Sequence, residues 1–184
     1  LRDASWYNEA HPEPNLLSFL DLVALGTICD VVPLTGVNRA LVTQGLKVLD
    51  SRRNPGIAAL ADIAKVDKPL DAYHAGFVLG PRVNAGGRVG DSGLGVRLLT
   101  TQDTSEARAV AQLLDDYNGE RKEIELGVQE AAMMQAEQQA KNDKPFLLVA
   151  GNGWHPGVIG IVAGRLRERF DRPSCVVALS EGIG

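Results

Sequence analysis

No proline interrupts the chain between Thr104 and Pro145, and that run fixes more of the architecture than any other stretch. Within it, apolar residues recur at helical spacing through Ala107, Val110, Ala111, Leu114, Tyr117, Ile124, Val128 and Ala131, with a break near Arg121. Asp103 and Glu106 stand at the spacing of a capping box, with aspartate in place of the usual serine or threonine. One continuous helix of about 38 residues would be ~57 Å long at 1.5 Å per residue. Beyond Met134 the sequence turns polar, from Gln135 to Lys141. That gradient suits a strut leaving one domain for another. A coiled-coil dimer is the competing reading, but the stripe keeps no strict heptad and Gly119 and Gly127 interrupt it.

The two sides of this run differ in texture. Upstream, short helices alternate with clear punctuation. Leu16 to Ala24 is apolar almost all round and predicts a buried helix. Asn38 is a cap candidate for a helix whose face is Leu41, Val42, Gly45, Leu46 and Leu49. Ser51 to Asn54 reads as a polar loop, with Pro55 at the first position of a helix carrying Ile57, Leu60, Ala61 and Ala64. Asp71 caps Ala72 to Leu79, and Pro81 is expected to end that helix. Downstream, Phe146 to Ala150 and Ser174 to Leu179 are strand candidates around a helix from Val158 to Phe170. Strand, helix, strand at this spacing predicts a βαβ unit with a parallel sheet, so the fold class is α/β, predominantly helical.

A chain of 184 residues holds one large domain, or one domain and part of another. With 45% apolar and 23% charged residues it is globular rather than disordered. No segment approaches the ~20 apolar residues of a membrane span, and no basic-then-apolar signal opens the chain. Cys29 and Cys175 lie far apart without metal-ligand spacing, and read as two free, buried thiols in a reducing cytoplasm. A net charge of −4 means that a polyanion must be met by local clusters. Two exist: Arg82, Arg88 and Arg97, and Arg165, Arg167, Arg169 and Arg172.

Three segments carry candidate chemistry. In Gly80-Pro81-Arg82-Val83-Asn84-Ala85-Gly86-Gly87-Arg88, Gly86 and Gly87 permit positive φ with exposed N–H groups, and the arginines flank them with forks suited to phosphate. Asn84 could donate or accept beside them; a tight surface turn with two solvated arginines is the plain alternative. Asp30 lies between apolar neighbours in Leu25-Gly26-Thr27-Ile28-Cys29-Asp30-Val31-Val32-Pro33-Leu34, where a carboxylate needs a turn, a partner or a metal. Gly151-Asn152-Gly153-Trp154-His155-Pro156-Gly157 follows a strand and precedes a helix, one residue off the dinucleotide fingerprint. A helix N-terminus there attracts phosphate. His155 sits at its mouth, as a ligand contact or a hydrogen-bonded structural histidine, and Arg165 lies about two turns further in.

In that order and spacing, the three segments resemble the RecJ single-strand-specific exonucleases of the DHH phosphoesterase superfamily, from about Leu16 to Gly184. The Asp-His-His triplet that names the superfamily is missing, since His11, His74 and His155 are each isolated. The resemblance therefore implies an interior piece of a larger enzyme, inactive alone. It implies the C-terminal part of a DHH catalytic domain over 1–102, a connecting helix over 103–143, and the start of a DHHA1-type substrate-binding domain over 144–184. It makes Asp30 a catalytic ligand of a divalent metal, Mn2+ or Mg2+. It makes Arg82, Asn84, Arg88, His155 and Arg165 contacts to single-stranded DNA. The implied enzyme is a cytoplasmic, monomeric 5′→3′ exonuclease of DNA repair and recombination, with single-strand-binding protein or a helicase as candidate partners. The alternatives are a DHH phosphodiesterase of short oligonucleotides or cyclic dinucleotides, and a non-catalytic DNA-binding scaffold.

Overall fold

The computed structural model describes residues 6–142 and 144–184, so the expected domain limits at residues 1 and 143 lie outside the described residues. A 3-10 turn, Leu16–Phe19, leads into α1 (Leu20–Cys29), followed by α2 (Gly36–Asp50) and α3 (Pro55–Ile63). A π-helical stretch, His74–Leu79, continues into α4 (Gly80–Val89), then α5 (Leu94–Thr100) and α6 (Thr104–Lys141). The chain closes with β1 (Leu147–Asn152), α7 (Pro156–Phe170) and β2 (Ser174–Leu179). It divides into two compact units, Leu1–Gly80 with Leu98–Arg108, and Pro81–Arg97 with Ala109–Gly184.

In the first unit the helix starts follow the sequence closely at α3. Asn54 accepts from the N–H groups of Gly56 and Ile57 at 2.9 and 3.1 Å, and Pro55 occupies the first turn. Its own amide then donates to the carbonyl of Leu99 at 2.9 Å, so one residue both caps α3 and anchors the end of α5. Ile57, Leu60 and Ala61 are buried as their spacing predicts. Asn38 does not cap α2. Thr35 holds the N-cap position, and Asn38, inside the helix, donates from Nδ2 to the Pro33 carbonyl at 3.2 Å. The apolar stretch from Leu16 is only half interior: Ala24 and Leu25 are buried, whereas Leu16, Leu17 and Phe19 are exposed.

Pro81 does not end its helix. From Ala72 to Val89 the backbone stays helical, and the wide π turn just before Pro81 opens the hydrogen-bond ladder where proline has no N–H to give. Gly86 and Gly87 consequently adopt helical rather than positive φ. What Gly86 contributes is closeness: a Cβ there would stand 3.2 Å from Leu114 Cδ2 and press on the carbonyl of Asp91.

α6 spans 38 residues as a single helix. Asp103 Oδ1 accepts from Ser105 and Glu106 at 2.7 and 3.3 Å, but the Glu106 carboxylate reaches Thr101 Oγ1 instead of closing a reciprocal box. The second unit's core lies between the C-terminal half of α6, the sheet and α7, where Val128, Ala132, Ala136, Leu147, Val149, Val158, Val162 and Leu166 cluster. The parallel sheet pairs Leu147 with Ser174 through Asn152 with Leu179, as the βαβ reading predicts. The polar end of α6 serves this sheet. Gln139 exchanges two hydrogen bonds with the backbone of Leu148, and Gln135 two with that of Ala150, at 2.6 to 3.1 Å. Their amides satisfy the edge of β1 that faces away from β2.

Candidate functional site

Asp30 closes α1. It is the C-cap residue, exposed, with its own N–H returned to the Gly26 carbonyl at 3.0 Å. Val31 and Val32 then donate to the carbonyls of Ile28 and Thr27 at 3.1 Å each, the paired bonds of a Schellman end. That end needs a left-handed residue after the cap, a place usually given to glycine. Here it is the β-branched Val31, at φ 54° and 84% exposed. The backbone beside Asp30 is therefore strained, and its carboxylate stands at the negative end of the helix dipole, where anions are disfavoured. Burial, and then the Asp30 charge, push the neighbouring Cys29 thiol above its ordinary range. The Cys29 thiol points to the Ala75 carbonyl at 3.7 Å. Cys175, by contrast, is exposed, because it falls on the outward side of β2, which corrects the expectation of two buried thiols.

A divalent cation of the hard type takes about six oxygen ligands, so one carboxylate falls short. Among the described residues no group of three His, Cys, Asp or Glu side chains is placed to hold a metal. Asp30 fits one position of such a centre and the described residues do not complete it.

The remaining candidates lie in the second unit. Arg82 points its Nε at Asp115 Oδ1, 2.8 Å away, and both side chains are largely covered, so α4 is tied to α6. Asn84 is exposed on the same helix. Arg88, also exposed, donates from Nη1 to the Gly157 carbonyl at 3.1 Å. The sequence-distant arginine and glycine motifs thus meet. His155 is the N-cap of α7, its Nδ1 accepting the Gly157 N–H at 3.0 Å, which leaves Nε2 as the ring's donor. Trp154 packs against the core. Arg165 is exposed and lies 4.0 Å from Glu125. Arg172, of the same cluster, donates to the Lys144 carbonyl at 2.6 Å.

Two residues absent from the sequence expectation stand out here. Arg121 pairs through Nη1 with Glu125 and through Nη2 with Asn118 Oδ1 at 3.2 Å. The interruption of α6's apolar stripe at Arg121, with an acid four residues on, was the available signal.

Chemically, this arrangement offers exposed guanidinium groups and a histidine-capped helix N-terminus in one unit, and an exposed carboxylate on a strained turn in the other. The solved structures that this chain resembles are metal-bound exonucleases. The crystal structure of RecJ from Thermus thermophilus in complex with Mg2+ matches with a TM-score of 0.81 and 36% identity, over 90% of this chain and 26% of that one. A crystal structure of exonuclease RecJ bound to manganese matches with a TM-score of 0.78 and 36% identity, over 90% of this chain and 41% of that one. No family model matches the chain. Among curated relatives, the single-stranded-DNA-specific exonucleases RecJ of Salmonella typhimurium and Escherichia coli are each 45% identical over 179 residues, 94% of this chain and 31% of theirs. That of Thermus thermophilus is 38% identical over 169 residues. The chain is homologous to RecJ along nearly its whole length, and spans about a third of the first of these relatives.

Proposed function

We propose that this chain is part of a metal-dependent exonuclease that degrades single-stranded DNA from its 5′ end, in DNA repair and recombination. The observation that carries the reading is the homology to RecJ at 45% identity over 94% of the chain. The exposed Asp30 carboxylate supports it, since a cation beside it would offset both the charge and the unfavourable helix end. In this reading Asp30 supplies one ligand of a Mg2+ or Mn2+ centre, and that metal would activate water and stabilise charge on the scissile phosphate. Arg88, Arg165 and the α7 N-terminus hold backbone phosphates, with Arg82, Asn84 and His155 beside them. The domain reading of 1–102, 103–143 and 144–184 belongs to the same proposal.

The test is Asp30→Ala in the intact protein. Cleavage of labelled single-stranded DNA should fall by at least about a hundredfold, the scale of a lost charge-stabilising group, while binding without metal persists. A normal cleavage rate would remove Asp30 from the site. The isolated 184-residue chain, offered manganese and the same substrate, should leave it intact.

A further inference from the structure

Arg121, Lys122, Glu125, Gln129 and Arg165 line an open cavity of about 250 Å³ between α6 and α7. Three cations face one acid there. Arg121 and Glu125 are each nearly covered, at 11% and 12% side-chain exposure, and Asn118 behind them is buried. The Arg121 guanidinium is only partly used. Its Nη1 and Nη2 are bonded, but Nε is the one buried side-chain nitrogen or oxygen without a hydrogen-bond partner among the described residues. Arg165 is only half engaged, since 4.0 Å from Glu125 is an ion-pair distance but too long for a hydrogen bond. A largely covered arginine with an idle donor therefore stands beside a second arginine, with one carboxylate between them.

We propose that this cavity binds a phosphate group, and that Glu125 holds its place until the phosphate displaces it. A phosphate carries more acceptor oxygens than a carboxylate, so it can engage the Arg121 fork, including Nε, and Arg165 together. Lys122, exposed at the rim, adds charge. The ligand chemistry is a phosphodiester of a nucleic-acid strand or free inorganic phosphate. The proposal rests on the reading that a single strand passes Arg165, and adds to it a competing acid that sets the strength of the grip.

The experiment titrates binding of a thymidine 12-mer to the intact protein against salt, in EDTA so that nothing is cleaved. Glu125→Gln, which keeps the shape and an acceptor for Arg121, should tighten binding about three- to tenfold with the wild-type salt slope, because the same phosphates are contacted without the competitor. Glu123→Gln makes the same charge change on an exposed part of α6 and should leave affinity nearly unchanged. Arg121→Lys keeps the charge but loses the fork, and should weaken binding while thermal unfolding reports that the fold is kept. Inorganic phosphate at constant ionic strength separates the ligands: competition in wild type but not in Arg121→Lys assigns the site to free phosphate as well, and its absence assigns it to the strand alone. Unchanged affinity in Glu125→Gln, or an equal gain in Glu123→Gln, overturns the proposal. If Arg88→Ala still lowers the salt slope in that case, strand binding survives without this site; if wild type itself fails to bind, strand binding falls as well.

Discussion

The Nη1 of Arg88 donates to the carbonyl of Gly157, 3.1 Å away, while the carbonyl of Arg88 lies where a Cβ on Gly157 would have to go. The contact is therefore reciprocal: the end of α4 and the first turn of α7 are pressed backbone to backbone, and only a residue without a side chain fits.

Gly157→Ala should accordingly destabilise the second unit, by about 1–3 kcal/mol as for other overpacked sites. Urea unfolding of the variant against wild type measures it. Gly160→Ala on the same helix has nothing within 4 Å of the added methyl and serves as the harmless control.

Val31→Gly should stabilise the first unit by about 1 kcal/mol, because glycine takes the left-handed conformation that valine is forced into. A rise in unfolding midpoint confirms the strain. In the intact protein the more pliable turn should not raise cleavage, since the turn sets the direction of Asp30. A variant less stable than wild type would show that Val31 makes contacts that outweigh its backbone cost.

Asn54→Ala removes two jobs at once, the cap on α3 and the tie to Leu99. A loss of about 2 kcal/mol is expected, above the ~1 kcal/mol of an ordinary cap. Asn54→Ser should recover part of it by restoring the cap alone, and equal losses for both would show that the Leu99 bond dominates.

His155 separates two roles cleanly. Asparagine is a strong N-cap, so His155→Asn should keep the stability of α7, whereas His155→Ala loses about 1 kcal/mol. If the ring also contacts DNA, both variants weaken strand binding. If it is a cap only, His155→Asn binds like wild type.

The thiols should react unequally. The Cys29 thiol, held above its ordinary range by burial and the Asp30 charge, carries less thiolate at any given pH than an unperturbed cysteine, and its reaction with iodoacetamide should rise only at higher pH. Exposed Cys175 should be alkylated first. Mass spectrometry after brief labelling at neutral pH reads the order, and Asp30→Asn should speed Cys29.

Periodicity and capping chemistry were legible in the sequence wherever they act locally. The length of α6, the Asn54-Pro55 start of α3 and the βαβ order all depend on residues a few positions apart. The failures have a common cause. Pro81 and the Gly86-Gly87 pair look like a turn because their local preferences are for turns, yet a π-helical stretch and close packing against Asp91 and Leu114 override them. Asn38 has capping chemistry but Thr35 occupies the position. Of the candidate site residues, Asp30, Arg88 and Arg165 stand out by motif and charge, whereas the tie of Arg82 to Asp115 and the approach of Arg165 to Glu125 join residues 33 and 40 positions apart, which no local pattern encodes.

The glutamines of α6 have a geometric consequence for growth of the sheet. Four helical residues advance about 6.0 Å and two strand residues about 6.6 Å, so Gln135 and Gln139 meet Ala150 and Leu148 like the teeth of two matched racks. A one-residue slip of β1 would leave both amides facing no free backbone group. The teeth also use up the hydrogen bonds that a foreign strand would need on that side. Any additional strand must therefore join at β2, which makes this small sheet a one-directional template.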